Sequence, residues 1–242
     1  MQVILLRVGI DTGSGGIHGP LFNNGSFEFV PIWDKSNRFG INKQTYGNTA
    51  GHRFQKPLVR YFPEKARETR RNTCIHNDPE FESFTYGDPT RLKAGLKKLE
   101  KGDLLVFYAG LEGWGDFRCD PALYIIGYFE VEKAVSGKEF AREKLQREFG
   151  KNFHVRLKPV FEHQKDRLVL VKGSQKSKLL KKAQRISVLG PNKVGKLIHR
   201  LSPEMQRIFG HFNGHTSIQR SPPRLVWPEF IGRAAKFVRS LK

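Results

Sequence analysis

The stretch KGDLLVFYAG (residues 101–110) decides the fold class. A Gly-Asp turn leads into an apolar run that ends in Phe-Tyr, and LYIIGYFEV (residues 123–131) follows after a loop rich in glycine and charge. Short apolar runs bounded by turn residues are typical of strands. The two runs therefore predict paired strands at 104–109 and 124–131, joined by a loop at 110–121.

Outward from this pair, the chain alternates between strand and helix patterns. Apolar runs predict further strands at 2–8, 27–32 and 167–171. Helical spacing and capping residues predict helices at 90–100, 137–149, 175–184, 193–201, 202–209 and 228–241. The segment 33–62 has no clear periodicity, which predicts a long loop. We expect an α+β protein with a strand-rich region, 1–150, that carries the site. A basic, mainly helical region, 151–242, packs on it or continues the same domain.

Positive charge is concentrated in the second of these regions. The chain has 43 lysines and arginines against 23 aspartates and glutamates, a net charge of +20. Residues 1–150 carry 22 basic and 19 acidic side chains, whereas residues 151–242 carry 21 and 4, a net charge of +17. A one-sign field of this size repels itself unless a polyanion neutralises it, and nucleic acid is the commonest polyanion. The charge therefore predicts a nucleic-acid partner.

Hydropathy and cysteine content favour a cytoplasmic protein that does not bind membranes. No apolar run approaches the ~20 residues of a membrane span, and the basic segments lack the aromatic-rich face of interfacial helices. Residues 1–7 lack the n-region and cleavage site of a secretory signal. Cys74 and Cys119 are too few for a disulfide framework and fit a reducing compartment.

The segment GIDTGSGGIHGP (residues 9–20) contains Asp-Thr-Gly-Ser, the signature of aspartic proteases. Such enzymes need two facing carboxylates that share a proton, and the sequence holds one Asp-Thr-Gly, so a protease is the least favoured hypothesis. Asp11 is nevertheless a candidate catalytic carboxylate. The glycines can expose consecutive N–H groups that bind an anion such as phosphate. An anion-binding loop is one interpretation and a tight structural turn is the other; the loop residues are Gly13, Ser14, Gly15 and Gly16.

The segment CIHNDPEFESFTYGD (residues 74–88) carries an unusual set of polar side chains. If it is extended, period two places an imidazole and three carboxylates on one face. Buried together they suit acid–base catalysis, and exposed they can hold Mg²⁺ or Mn²⁺, so a divalent metal is the candidate cofactor. An acidic loop that neutralises nearby arginines is the alternative. The candidate catalytic residues here are His76, Asp78, Glu80, Glu82 and Asp88.

The spacing His76-x-Asp78 is also the first half of the facial triad of iron oxygenases. Its distal histidine would be a later one, such as His154, and no sequence feature links the two.

Aromatic and basic side chains supply candidate contacts to nucleic acid. Tyr108 and Trp114 are candidates for stacking on a base, and packing in the core is the alternative for strand aromatics. Ser174 is expected to cap the helix at 175–184, whose first-turn N–H groups and lysines would bind phosphate. The candidate phosphate-binding residues are Ser174, Lys176, Lys178, Lys181, Lys182 and Arg185.

Five segments resemble the third nucleotide modification associated domain family: LLRVGIDTGSGGIHGPLF, GSFEFVPI, HNDPEFESFTYGDPT, GDLLVFYAGL and LYIIGYFEV. Residues 101–131 resemble, more weakly, the PUA-like barrels (EVE, YTH and ASCH modules), which hold a flipped or modified base among aromatic side chains. The family resemblance implies a nucleic-acid context, DNA rather than RNA. By position it draws attention to Asp11, Ser14, His18, His76, Asp78, Glu80, Glu82, Tyr86 and Asp88.

These observations together predict a nucleic-acid-binding protein associated with DNA base modification. In one version it is an enzyme that acts on a nucleotide. In the other it reads a modified base without catalysis. An aspartic-protease-like hydrolase is the third alternative.

Overall fold

The computed structural model describes residues 1–34, 40–219 and 222–242. Within these ranges, eight strands form one mixed sheet, and four other strands form two two-stranded sheets. The strands are β1 (Val3–Arg7), β2 (Gly19–Leu21), β3 (Ile32–Trp33), β4 (Ile75–His76), β5 (Thr85–Asp88), β6 (Leu104–Gly113), β7 (Ala122–Ser136), β8 (Val169–Gly173), β9 (Lys178–Arg185), β10 (Ser187–Pro191), β11 (Leu197–Leu201) and β12 (Arg224–Leu225).

The main sheet has the order β12-β1-β6-β7-β8-β5, with β2 beside β6 and β9 beside β7. β1 runs parallel to β6, and β6 runs antiparallel to β7. β7 is 15 residues long and serves both halves of the sheet. Its first half pairs with β6 and β9, whereas its second half, from Val131 to Ser136, pairs with β8. The long strand therefore connects the β1 side of the sheet to the β5 side.

The described helices are mostly short, and two of them are capped at the N-terminus by a side chain. The α-helices are α1 (Glu64–Arg71), α2 (Arg142–Phe149), α3 (Phe153–Arg156), α4 (Lys158–Gln164), α5 (Pro203–Phe209) and α6 (Pro228–Ser240). α3 begins where the Asn152 side chain accepts a hydrogen bond from the His154 N–H, and α5 begins with the same kind of bond from Met205 to Ser202. None of the described helices is both long enough and apolar enough to cross a membrane.

The core lies around β6 and β7. β6 is buried from Leu104 to Leu111, and β7 is buried from Ala122 to Phe129. Strands covered on both faces read as continuous apolar runs, which is why this pair is so visible in the sequence. Phe107 makes an edge-to-face contact with Phe129, at 4.6 Å between ring centres, and Phe81 packs on both.

The α+β class and the main strands agree with the sequence-based predictions. β1, β6, β7, β8, α5 and α6 all lie where a strand or a helix was predicted. Two predicted helices are wrong: residues 175–184 contain β9, and residues 193–201 contain β11, which forms a hairpin with β10. Region 151–242 therefore mixes strands and helices and is not mainly helical. Ladder hydrogen bonds to β7 and β10 override the helical spacing of the apolar residues.

Smaller differences concern element bounds. Residues 27–32 do not form a strand: Phe27 makes a single bridge to Leu21, and β3 occupies Ile32–Trp33. The predicted helix 90–100 is a 3-10 helix over Arg91–Lys98, and α2 begins only at Arg142 after a short 3-10 turn. The predicted loop 33–62 ends in a 3-10 turn at Leu58–Tyr61, and its residues 35–39 lie outside the described residues.

Strands from both predicted regions share the main sheet. β8, β9 and β12 come from residues 151–242 and pair with β5, β7 and β1 from residues 1–150. This pairing brings α3, which follows residue 150, against β5. The candidate functional site depends on that contact between α3 and β5.

Candidate functional site

A cleft of about 870 Å³ opens beside β4 and β5. The loop after β1 forms one wall, β4 and β5 form another, and the 3-10 helix at Arg91–Lys98 and residues Gln219 and Pro222 complete it. The structure thus brings together sequence-predicted residues that lie as much as 77 positions apart. Those that line the cleft are Asp11, Gly13, Ser14, His76, Asp78 and Asp88.

Two histidines and one aspartate converge at the floor of this cleft. His76 ends β4, Asp78 follows two residues later, and His154 lies on α3. The His76 Nε2 and His154 Nε2 atoms are 3.1 Å apart. The Asp78 Oδ2 atom lies 3.5 Å from His154 Nε2 and 3.9 Å from His76 Nε2. Among the described residues, these three form the one group of histidine, cysteine and carboxylate donors close enough to share an ion.

The spacing of these three donor atoms fits a metal ion. The sides of their triangle are 3.1, 3.5 and 3.9 Å, so a point equidistant from all three lies about 2.1 Å from each atom, inside the ~2.0–2.2 Å range of metal bonds to imidazole and carboxylate. His76 and Asp78 line the cleft, whereas His154 is buried behind them. An ion at this point would therefore keep its remaining coordination positions toward the cleft.

Hydrogen bonds from surrounding residues orient the three side chains. The His154 Nδ1 lies 2.6 Å from Gln164 Oε1, so Nδ1–H donates to the amide oxygen and Nε2 faces Asp78 and His76. Asp78 Oδ2 accepts a 2.8 Å hydrogen bond from the Gly87 N–H. The His76 ring packs on Phe153, with 4.2 Å between ring centres. Partners of this kind fix ring orientation at metal sites.

Gly87 has to be glycine for the cluster to form. A Cβ at this position would lie 2.7 Å from the His154 ring and 2.9 Å from the Asn152 Oδ1. Both atoms belong to groups that are themselves held by hydrogen bonds, so neither can move without cost. The absence of a side chain lets α3 approach β5 closely enough for His154 to lie beside Asp78 and His76.

Burial controls the protonation of the cluster. Burial raises the pKa of Asp78 to about 6, although hydrogen bonds from His154 and Gly87 act in the other direction. Burial and the neighbouring His154 lower the pKa of His76 well below its ordinary value. Burial also opposes charge on His154, but Asp78 and Gln164 outweigh it and the pKa of His154 is raised. Asp78 therefore favours a proton on the His154 imidazole, and a bound metal ion would displace that proton.

Comparison with known families gives one match. A family model described as nucleotide modification associated domain 3 matches residues 2–226. The chain belongs to this family. A search of curated proteins and a search of solved structures found no match. The family resemblance predicted from the sequence is thus confirmed, and it associates the chain with nucleotide modification. The PUA-like resemblance of residues 101–131 stays a prediction.

The matched range includes a second polar group in the cleft. The Asp88 Oδ2 accepts hydrogen bonds from Lys93 Nζ at 2.8 Å and from the Tyr86 hydroxyl at 3.1 Å. Burial acts to raise the pKa of Asp88, but Lys93 and Thr90 outweigh it and the pKa is lowered. Asp88 is therefore an ionised carboxylate in an ion pair, which supplies hydrogen-bond acceptors rather than a general acid.

Asp11 is held inside its own loop in this family member. Its Oδ1 accepts hydrogen bonds from the N–H groups of Gly13 and Ser14, both at 2.8 Å, and its Oδ2 pairs with Arg7 at 3.0 Å. The Gly16 N–H donates to the Asp11 carbonyl. These N–H groups are therefore already hydrogen-bonded to Asp11 within the loop, which favours the structural-turn interpretation over external anion binding. An Asp11 paired with Arg7 also lacks the proton-sharing partner of an aspartic protease.

Glu80 and Glu82 lie away from the cleft, so the prediction that they share one face with His76 is wrong. Residues 81–84 form a turn, and Glu80 pairs with Thr85 on the returning strand. Glu80 is buried and accepts hydrogen bonds from the N–H groups of Glu82 and Ser83, while the exposed Glu82 pairs with Lys151. Both line a separate cavity of about 180 Å³. The Glu80 carboxylate closes the turn, and Glu82 forms an ion pair at the surface.

The predicted nucleic-acid contacts are dispersed. Tyr108 is fully buried and its hydroxyl donates to the Ile218 carbonyl, so its ring offers no face to a base. Trp114 is partly exposed and lines other cavities. Ser174 caps no helix: its hydroxyl accepts from the Lys176 N–H in a turn. Lys178 donates to the Leu241 carbonyl. Outside the cleft, on β9, three basic side chains are exposed: Lys181, Lys182 and Arg185.

Sequence reasoning identified part of this site and missed the rest. His76 and Asp78 were indicated by their spacing, and His154 was named only as one candidate for the distal histidine. Gln164, Asn152 and Gly87 were not identified. Asn152 alone had a local signal, because an asparagine that follows glycine and lysine and precedes an apolar turn is a helix N-cap.

Proposed function

We propose that this protein is a metal-dependent enzyme that modifies a nucleotide held in the cleft, with His76, Asp78 and His154 as the ligands of a divalent ion. The observation that carries the proposal is the triangle of three donor atoms, each about 2.1 Å from a common point. The family's association with nucleotide modification supplies the substrate class.

The donor set narrows the choice of ion. Two imidazoles and one carboxylate suit Fe²⁺, Mn²⁺ and Zn²⁺ better than Mg²⁺, which takes oxygen ligands. An ion with three protein ligands keeps positions at which it can polarise a water or a substrate oxygen. The Asp88–Lys93 pair and the Tyr86 hydroxyl line the same cleft and offer hydrogen bonds that orient a base.

The distribution of charge supports nucleic acid as the carrier of that nucleotide, and we propose DNA because that is the context the family resemblance implies. The net charge of +17 in residues 151–242 provides electrostatic attraction to phosphates, which does not depend on the nucleotide sequence. Exposed side chains on β9 contribute to it: Lys181, Lys182 and Arg185.

Metal binding provides the first test. The chain is stripped of metal and titrated calorimetrically with Zn²⁺, Mn²⁺ and, without oxygen, Fe²⁺. We expect the native chain to bind one ion, and Asp78→Asn and His154→Ala to weaken binding by more than the ~10–100-fold that loss of a neighbouring hydrogen-bond partner costs. His163→Ala, an exposed histidine on α4, is the matched control and should bind as the native chain does. Equal affinity in His154→Ala would overturn the metal site.

Turnover provides the second test. The metal-loaded protein is incubated with nucleotides and with single-stranded and duplex DNA, and products are read by mass spectrometry after digestion to nucleosides. Reactions run in air with a 2-oxo acid, and again without oxygen, separate an oxidative change from a hydrolytic one. We expect a mass change that His154→Ala abolishes. DNA binding without a mass change under any of these conditions would overturn catalysis and leave a reader of modified bases.

A further inference from the structure

Two further cavities continue from the cleft, each sharing lining residues with the one before it. The cleft meets a cavity of about 1020 Å³ at Thr12, and this second cavity shares Tyr61, Arg67 and Trp114 with a third cavity of about 410 Å³. The three cavities therefore follow one another across the surface from the His–Asp–His cluster to the segment 54–60. We call the second and third cavities together the aromatic groove.

Aromatic rings line the aromatic groove in edge-to-face pairs. Phe22 contacts Phe54 edge to face, with 4.8 Å between ring centres, and Tyr61 contacts Trp114 at 5.8 Å. An edge-to-face contact covers at most one face of a ring, and Phe54 is 40 % exposed. The Trp114 backbone N–H donates to the Leu21 carbonyl, which fixes the backbone at this position, and the Trp114 ring packs on Tyr61. The groove thus presents fixed aromatic surface to solvent.

Positive charge accompanies these rings. Lys56, Arg60 and Arg67 line the third cavity, and none of the described residues that line it is acidic. The Arg67 Nε–H donates to the Phe62 carbonyl, which fixes its guanidinium at the boundary of the two cavities. Lys56 and Arg60 are exposed. The second cavity is lined by Arg67 and Arg118 and also by Glu64 and Glu112, so the excess of positive charge lies at the third cavity. Aromatic faces next to such cations are the combination by which proteins bind unpaired bases and their phosphates.

We propose that the aromatic groove binds single-stranded DNA that continues from the nucleotide in the cleft. A free nucleotide would occupy the cleft alone and leave the adjoining rings and cations without a role. A duplex keeps its base faces stacked inside, so only an unpaired strand can place a base on Trp114. The inference rests on the proposed function in one respect: it names the substrate of the same cleft as a strand and not a free nucleotide.

Anisotropy of a fluorescein-labelled 12-nucleotide single strand tests the aromatic groove. We expect the native chain to bind the strand more tightly than the matching duplex, and Trp114→Ala to weaken strand binding by about 10-fold or more. Phe54→Ala should weaken strand binding as well. Because the Phe54 side chain is exposed, its removal should not impair folding. Trp227→Ala, outside the groove, is the matched control and should bind as the native chain does.

Salt dependence tests the cationic part of the groove. Arg60→Gln should reduce the slope of log affinity against log salt by about 0.7, the value for one lost phosphate contact on a single strand. Arg147→Gln, an exposed arginine on α2, should leave the slope unchanged. Native-like strand binding in both Trp114→Ala and Phe54→Ala, or equal affinity for strand and duplex, would overturn the proposal.

The proposals of a metal site and of an aromatic groove can be overturned independently of each other. Trp114→Ala should bind Zn²⁺ as the native chain does, and the native chain stripped of metal should still bind the single strand. Loss of strand binding in Trp114→Ala without any metal binding in the native chain supports the groove and overturns the metal site. If the native chain binds the metal and the groove variants bind the strand with native affinity, the metal site is supported and the aromatic groove is overturned.

Discussion

At the scale of single residues, the orientation of His154 depends on a residue outside the cleft. Gln164 accepts the Nδ1 proton of His154 and thereby selects the tautomer whose Nε2 faces Asp78. A histidine freed from such a partner can rotate or change tautomer, and its affinity for a metal falls.

Gln164→Ala should therefore weaken metal binding without removing a ligand. We expect a loss of about 10–100-fold in affinity for Zn²⁺, measured by calorimetry. Gln175→Ala changes an exposed glutamine and should have no effect. If Gln164→Ala binds Zn²⁺ as tightly as the native chain, Nδ1 is not held as the structure indicates.

Asp11 illustrates a conspicuous sequence signature with a structural role. Asp11→Asn keeps an oxygen for the N–H groups of Gly13 and Ser14 but loses the ion pair with Arg7. We expect a loss of about 1–2 kcal/mol in the free energy of unfolding, because a partly buried Arg7 is left without its counter-charge. Urea denaturation measures the loss, and Zn²⁺ affinity should not change. A native stability combined with abolished turnover would instead make Asp11 catalytic.

The predictability of the site also follows from its residues. His76 and Asp78 are two positions apart and could be paired from local spacing. His154 is 78 residues from His76, and that contact exists only because α3 packs on β5. Glu80 and Glu82 were expected beside them because a turn at 81–84 has no strong glycine or asparagine signal. Contacts that arise from tertiary packing leave no local pattern.

At the scale of elements, the close packing of β7 and β9 depends on a glycine. A Cβ on Gly127 would lie 2.7 Å from the Lys178 carbonyl oxygen and 2.7 Å from the Phe81 ring. The carbonyl belongs to the backbone of the neighbouring strand, so it cannot move aside as a flexible side chain can.

Gly127→Ala should accordingly destabilise the sheet by about 1–3 kcal/mol. Gly232→Ala provides the opposite control, because this exposed glycine of α6 has no atom within 4 Å of an added Cβ. Alanine there should stabilise the chain by about 0.5–1 kcal/mol through its helix propensity. Thermal unfolding measures both changes, and a neutral Gly127→Ala would mean that β7 and β9 are further apart than described.

Strands such as β6 and β7 were predictable because burial on both faces gives a continuous apolar run. β9 was predicted as a helix because Leu179, Leu180 and Ala183 have helical spacing and lysines occupy the remaining positions. Leu180 is fully buried and its neighbours Lys181 and Lys182 are both exposed, so the strand does not alternate regularly. Partners in the sheet, and not intrinsic preference, determine such an element.

At the scale of the whole molecule, exposed basic residues on β9 form an edge of positive charge. Replacing the three exposed basic residues of β9 by glutamine removes at most three contacts to phosphates. The slope of log affinity against log salt for a single strand should fall by about 2. The three residues are Lys181, Lys182 and Arg185.

A matched control places the same number of changes on the other region of the chain. Glutamine at three exposed basic positions near α2 lowers the net charge equally and should leave the slope nearly unchanged. These positions are Lys138, Lys144 and Arg147. If both triple variants flatten the slope to the same degree, the strand responds to net charge and not to β9.

The shared use of β7 has a consequence for any attempt to divide the chain. Truncation after residue 150 would remove β8, β9 and β12, and with them the hydrogen-bonding partners of β7, β5 and β1. The fragment 1–150 would then expose open strand edges with apolar faces, a template for intermolecular pairing. Such a fragment should precipitate rather than fold, so experiments on the cleft require the uncut polypeptide.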